Sequence, residues 1–307
     1  MEKQSKIYVA GGETLIGAAL LRQLQQQQYT NLISPHLEPP LTDGKLVAEF
    51  FAEHQPEYVF LAAGKSGGIL ANQRYPAELM LDNLLVECHI IQSAYSNGVK
   101  KLLYLASSCS YPKFAPQPIE VKSLLTGAIE PTNEAYAVAK IAGIKLCQAY
   151  RQQYRANFLS VIPANVFGPG DDFSSEGSHV IPALIRKMHD AKIANAQFID
   201  IWGTGTPKRD FLFVEDLADA CILTIREFDD CSVINIASGS GISIQELAEL
   251  IKQVVGYLGE LRFDTTKPDG MPLKILDTKK LQQMGWEPKT SLRDALKITF
   301  EWFLQTK

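Results

Sequence analysis

The sequence predicts an α/β fold: a parallel sheet doubly wound with helices, joined to a smaller C-terminal substrate domain. Three features carry that prediction. Short apolar runs recur along the chain, helical patterns separate them, and a glycine pair joins the first run to the first helix. Strands alternating with helices bury both faces of a parallel sheet, the Rossmann-type arrangement.

Lys6-Ile7-Tyr8-Val9-Ala10 reads as the first strand, Gly11-Gly12 as a turn, and residues 15–26 as a helix. Asn31-Leu32-Ile33-Ser34 reads as the second strand. Apolar runs at 58–63, 102–106, 157–162 and 233–237 read as further strands, with helical patterns at 47–54, 80–97 and 136–154. After Gly168 the alternation loosens. Gly168-Pro169-Gly170-Asp171-Asp172 reads as a loop, and 181–191, 215–227, 244–255 and 292–303 as helices. The expected division is a dinucleotide-binding domain at 1–168 plus about 210–238, and a substrate domain at about 169–209 plus 239–307.

Composition narrows the class. The chain has 307 residues, 46% hydrophobic and 21% charged, which is ordinary for a globular protein. A formal net charge of -4 without a long basic run argues against nucleic acid as a partner. No apolar stretch approaches the ~20 residues that span a membrane. Cys88, Cys109, Cys147, Cys221 and Cys231 fit no zinc spacing, so no metal is expected. Met1 leads into a polar stretch, and a reducing, cytoplasmic setting is the expectation.

The glycine turn is the first candidate site. In dinucleotide folds this turn approaches the pyrophosphate, held at the helix N-terminus. Here it reads Gly11-Gly12-Glu13-Thr14-Leu15-Ile16-Gly17, with Thr14 where a middle glycine is usual. The Thr14 hydroxyl is a candidate donor to the ligand. After the second strand, an acid would hold the ribose 2′-hydroxyl of NAD and an arginine the 2′-phosphate of NADP. Ser34-Pro35-His36-Leu37 contains neither, Glu38 follows, and the choice stays open.

The second site is a Ser, Tyr, Lys set. Tyr136 and Lys140 stand four apart in a helical stretch and so share one face. A nearby ammonium is expected to lower the tyrosine pKa, making the phenol an acid–base group. Ser107 follows the 102–106 strand, where open α/β sheets bind ligands, and its hydroxyl would hold a carbonyl oxygen.

With these motifs the chain resembles the extended short-chain dehydrogenases/reductases, and more closely the GDP-L-fucose synthase family of epimerase-reductases. The resemblance rests on Ser107-Ser108-Cys109-Ser110-Tyr111-Pro112-Lys113, on residues 130–143 around Tyr136 and Lys140, and on Pro163-Ala164-Asn165-Val166-Phe167-Gly168-Pro169. Ser178-His179-Val180-Ile181-Pro182, Trp202-Gly203-Thr204-Gly205 and Lys267-Pro268-Asp269-Gly270 add to it. It implies NADPH as cofactor, a GDP-ketosugar substrate and a homodimer. It implies Cys109 and His179 as the proton-exchanging pair beside Ser107, Tyr136 and Lys140. It places the cofactor against Gly11, Gly12, Thr14, Leu15, Ile16, Gly17, Ala63, Ala106, Ser107, Tyr136, Lys140, Pro163, Ala164, Asn165, Val166 and His179. The nucleotide sugar falls to Ser107, Asn165, Val180, Lys187, Trp202, Arg209 and Asp269.

The chain also departs from the family. Thr14 replaces a common glycine, Gly12 and Glu13 stand where an arginine is frequent, and basic residues after the second strand are missing. A carboxylate at Glu13 would repel a phosphate, so NAD is not excluded. Asp171-Asp172 also departs. Trp202 could pack on the sugar nucleotide or belong to the core, and Arg209 could pair with Asp210. Two other readings stand beside the main one: a related GDP-ketosugar enzyme such as a GDP-L-colitose synthase, or a non-catalytic nucleotide-binding protein.

Overall fold

The computed structural model describes every residue except 175–176, 231–232, 268 and 307, so Cys231 and Pro268 lie outside the described residues. Strand β1 (Ile7–Ala10) runs into helix α1 (Leu15–Gln26), followed by α2 (Gly44–His54), β2 (Tyr58–Leu61), α3 (Ile69–Arg74), α4 (Pro76–Ser96), β3 (Lys101–Leu105), α5 (Glu134–Tyr154) and β4 (Phe158–Pro163). Then come β5 (Asn165–Phe167), α6 (Val180–Ile193), β6 (Phe198–Trp202), β7 (Lys208–Arg209), β8 (Phe211–Phe213), α7 (Val214–Glu227) and β9 (Ile234–Ile236). The tail holds β10 (Ile242–Ser243), α8 (Ile244–Val255), β11 (Glu260–Asp264), β12 (Leu273–Lys274), α9 (Lys279–Gln283) and α10 (Leu292–Thr306).

The expected doubly wound sheet is present. Five strands lie in the order β1-β2-β3-β4-β9, every pairing parallel. Their side chains are buried almost throughout, because helices cover both faces. Helices α1 and α7 pack together as one layer, and α2, α4 and α5 as the other. The expected second strand at 31–34 is reduced to one parallel bridge, Leu32 to Ile7. Pro35 begins a 3-10 turn immediately afterwards and removes an N–H from the ladder, which ends the pairing.

That bridge still matters. The chain passes from β1 to Leu32 on one side, then to β2 on the other. The crevice beyond the C-terminal end of β1 is therefore the switch point, where such sheets bind ligands.

Buried apolar residues form two clusters. One surrounds the five-stranded sheet. The other joins α6, β6, β8, α8 and α10. The tail does not belong wholly to the second cluster. Leu276, Leu281 and Trp286 return to the sheet's core, and α9 packs on β9.

Candidate active site

The glycine turn is shaped by close approach. Gly11 has a φ of +78°, and a Cβ there would lie 2.7 Å from Ala63 Cα. A Cβ on Gly17 would lie 1.9 Å from the Gly11 carbonyl oxygen. Both positions require glycine. Thr14 is the N-cap of α1: its hydroxyl accepts from Gly17 N–H at 3.1 Å and donates to Gly11 O at 2.7 Å. The expectation that it donates to the ligand is corrected, because its proton is committed to Gly11. The cap is worth about 1 kcal/mol to the helix. Leu15 and Ile16, in the first turn, have no helical acceptor for their N–H groups. They lie where a pyrophosphate would take them.

The acidic residue missing just after the second strand is supplied by Glu38. Its Oε2 accepts from Gly11 N–H at 2.8 Å and from the Tyr8 hydroxyl at 2.8 Å. Burial raises the Glu38 pKa, the Gly11 and Tyr8 hydrogen bonds offset part of that, and the Glu13 charge adds to it.

The Ser, Tyr, Lys set comes together at the end of β3. Ser107 caps a short 3-10 turn, Ser108–Ser110, and its Oγ accepts from Cys109 N–H at 3.2 Å. The turn is anchored by Tyr111, whose hydroxyl donates to Asn235 Oδ1 at 2.5 Å. Tyr136 projects from α5 and hydrogen-bonds to Ser107. Asn133, just before α5, donates from Nδ2 to Cys109 Sγ at 3.2 Å. Its Oδ1 is buried without a partner among the described residues.

Lys140 is buried one turn along α5. Its Nζ lies 3.1 Å from Glu87 Oε1 and 3.4 Å from the Leu105 carbonyl. Tyr104 donates to the same Glu87 oxygen at 2.6 Å. Gly143 makes room for this network, since a Cβ there would lie 2.6 Å from the Tyr104 hydroxyl and 2.8 Å from Glu87 Oε2.

The expected lowering of the Tyr136 pKa by Lys140 is not found. Desolvation raises it, the Cys109 charge raises it further, the Ser107 hydrogen bond lowers it, and the Glu87 charge raises it. Lys140 is 5.9 Å from the Tyr136 ring centroid and is paired with Glu87. Tyr136 is therefore a protonated phenol at neutral pH, suited to donating a proton.

A second group of residues lines the approach to Cys109. His179 is the N-cap residue of α6. Its ring is exposed, yet the enclosing protein and then the Lys274 charge lower its pKa, leaving a neutral imidazole able to accept a proton. Arg209 and Lys274, neighbours in the β7–β12 register, both interact electrostatically with Cys109. Asp210 does not serve Arg209. It accepts from Ser238 N–H, Ser238 Oγ and Gly239 N–H at 3.0, 2.6 and 3.0 Å, and burial raises its pKa to about 6.

Trp202 is 48% exposed, which removes the core alternative. Asp269 binds Thr204 through N–H at 2.7 Å and hydroxyl at 2.9 Å, and so sits beside Trp202. Lys187 is exposed and bonds the Asp200 carbonyl on the same strand as Trp202. These residues form one rim with Arg209, whose Nη2 faces Gly270. Val180, at the start of α6, is half-buried next to His179. The Asn165 amide is committed to the Asp210 carbonyl at 2.9 Å. Pro163 ends β4, the neighbour of β3, Ala164 follows it, Asn165 and Val166 open β5, and Ala106 directly precedes Ser107.

Sequence reasoning missed three residues. Glu87 had a signal, an acid in an otherwise apolar helical stretch four residues after Asn83. Asn133 lies in the 130–143 stretch, where its residue type alone carries no role. Lys274 had no local signal, because β12 brings it in from the tail.

A parallel sheet with a glycine turn at its switch point and a Ser–Tyr–Lys set beyond β3 defines a nicotinamide-dependent enzyme of carbonyl and hydroxyl chemistry. Residues 7–237 match the NAD dependent epimerase/dehydratase family, and the chain belongs to that family. It is 53% identical to a putative GDP-L-fucose synthase 2 of Arabidopsis thaliana over 99% of this chain and 93% of that one. It is 45% identical to the GDP-L-fucose synthase of Escherichia coli K12, covering 100% and 98%. A solved GDP-L-fucose synthetase from Naegleria fowleri bound to NADP superposes with a TM-score of 0.91 at 28% identity, covering 100% and 96%.

The residues at both ends suit the chemistry of a nicotinamide dinucleotide: unpaired helix N–H groups for its pyrophosphate and a phenol and ammonium for its reacting end. The first-turn N–H groups of α1 follow the C-terminal end of β1, and the Tyr136–Lys140 pair lies beyond the C-terminal end of β3 in the same parallel sheet.

Proposed function

We propose that this chain epimerises GDP-4-keto-6-deoxy-D-mannose at C3 and C5 and reduces C4 to give GDP-L-fucose. What supports this reading is that Cys109, beside Ser107 and Tyr136, and His179 both interact electrostatically with Lys274, so a thiol and an imidazole flank one cation next to the Ser–Tyr pair. A simple ketone reductase needs only the latter pair.

The 4-ketone acidifies the hydrogens on C3 and C5. Removing either gives an enolate whose oxygen accepts from Ser107 and Tyr136. Inversion requires a proton taken from one face and delivered to the other, which a thiol and a neutral imidazole can share. The bound reduced nicotinamide supplies the hydride that reaches C4. Tyr136 gives its proton to the C4 oxygen, and Lys140 holds the phenol's surroundings in register. Arg209 suits diphosphate oxygens through its forked N–H groups. Trp202, Lys187, Val180, Asn165 and Asp269 are assigned to the nucleotide sugar.

We assign the cofactor to the unit around the first core and the sugar nucleotide to the unit around the second. We also propose a homodimer and a reducing, cytoplasmic setting. Cys88, Cys109, Cys147 and Cys221 are free thiols. Among the described residues no helix is long and apolar enough to cross a membrane.

The test is incubation with GDP-4-keto-6-deoxy-D-mannose in deuterated water with NADH or NADPH. Nicotinamide oxidation and deuterium at C3 and C5 of GDP-L-fucose are expected. Oxidation without ring deuterium would reduce the protein to a C4 reductase, and neither signal would sink the reading.

A further inference from the structure

We propose that the adenosine end of this site is built for NAD(H) and against NADP(H), with Glu38 as the specificity-determining residue and Glu13 as a second barrier to a 2′-phosphate. The inference rests on the reading of the glycine turn as a dinucleotide site.

The chain delivers Glu38 to the turn by a short, defined route. Leu32 pairs with Ile7, and the second strand stops there. Pro35 then packs on Gly12 so closely that a Cβ on Gly12 would lie 2.8 Å from the proline Cβ. The 3-10 turn Pro35–Leu37 closes with Glu38 N–H on the Pro35 carbonyl at 3.0 Å. Reversal at this turn puts the Glu38 carboxylate on the Gly11 N–H. Glu38 comes about 20 residues after the last glycine of the turn, the position from which an acid grips the ribose 2′-hydroxyl of NAD. Both protein contacts use Oε2, and Oε1 is left to accept from the ribose.

The same neighbourhood lacks what a 2′-phosphate needs. Between Gly11 and Asp43 the basic side chains are Arg22 and His36. Arg22 is held by Glu215, with contacts of 2.6 and 2.7 Å, on the face shared with α7. His36 Nδ1 pairs with Glu13 at 3.1 Å. Glu13 and Glu38 interact with each other, so a phosphate there would meet two carboxylates. With Arg22 held by Glu215, no arginine fork, the usual partner of such a phosphate, is left in this segment. NADP therefore does not fit the ribose end, the one place where the two dinucleotides differ.

Isothermal titration calorimetry of the full chain with NADH and NADPH, without sugar nucleotide, tests this. NADH is expected to bind at least tenfold more tightly than NADPH. Glu38→Arg is expected to reverse the order. Because Glu38 also supports Gly11, exposed Glu13→Arg is the second variant, expected to tighten NADPH at least threefold while NADH changes little. Equal or tighter NADPH binding by the unaltered chain would overturn the inference and leave the dinucleotide site standing. Binding of neither would overturn the dinucleotide reading itself, and the inference with it.

Discussion

At the residue scale, the Glu87–Lys140–Tyr104 network adds to the burial that governs Tyr136. Lys140 is buried, and its charge is matched by Glu87 at 3.1 Å rather than by the phenol. Removing one member of a buried pair typically costs about 3–5 kcal/mol, so Glu87→Ala should unfold near room temperature or fail to accumulate. Glu87→Gln keeps the shape and is the informative variant. The Glu87 charge raises the Tyr136 pKa. A donor tyrosine loses activity as pH rises through its pKa, and removing that charge lowers the pKa. The basic limb of kcat against pH should therefore move to lower pH in Glu87→Gln, with KM for the sugar nucleotide little changed. A lower melting temperature with an unmoved limb would make Glu87 merely structural. The Ser107, Tyr136 and Lys140 positions were legible because their types and spacing carry the chemistry. The pKa direction was not, because burial of the phenol, its largest cause, and the Glu87 charge from another helix both arise from tertiary packing.

At the element scale, legibility follows how local the determinants are. Helix α1 starts where its cap stands, and α8 begins with a complete capping box between Ser243 and Glu246. Both read correctly from sequence. The 31–34 segment looked like a strand but makes one bridge, since Pro35 and the Gly12 contact pull the chain away. The loop after β5 shows a different consequence. Asp171 is buried there, its Oδ1 accepts from Asp172 N–H at 2.8 Å, and its Oδ2 has no partner among the described residues. Burial lifts its pKa to about 7. The native state thus binds this proton more tightly than the unfolded chain, whose carboxyl titrates near ~4. Stability from this site falls as pH rises from about 4 to 7 and stays low above. Asp171→Asn removes the penalty while keeping the Asp172 contact. It should raise stability at pH 8 by on the order of 2–4 kcal/mol, and change little at pH 4. Thermal melts at both values check this, and an equal gain at both would refute the assignment.

At the scale of the whole molecule, the sheet and its glycine turn were legible because every strand end of the Rossmann-type unit follows a run of sequence. The second core was only partly legible. Its members come from widely separated stretches, and Leu276, Leu281 and Trp286 cross back to the first core. The same view of the outer surface bears on assembly. Leu81, Cys88 and Tyr95 recur every seven residues on α4, so they share one face, and all three are exposed. On α5, Val138 and Tyr154 are 38% and 46% exposed, and Tyr154 stacks on Tyr95 at 4.6 Å. Exposed apolar side chains thus stand on both of these packed helices, the kind of surface that marks an interface. A two-fold copy would cover it by setting α4 and α5 against themselves, burying self-complementary surfaces. Sedimentation equilibrium should show a dimer at micromolar concentration. Leu81→Asp combined with Val138→Glu places four charges per dimer in that seam and should yield monomers. Because the seam is separate from the Gly11–Gly17 turn and from Glu38, dinucleotide binding by the monomers should persist within about threefold. A monomeric unaltered chain, or a variant that remains dimeric, would remove this surface from the assembly.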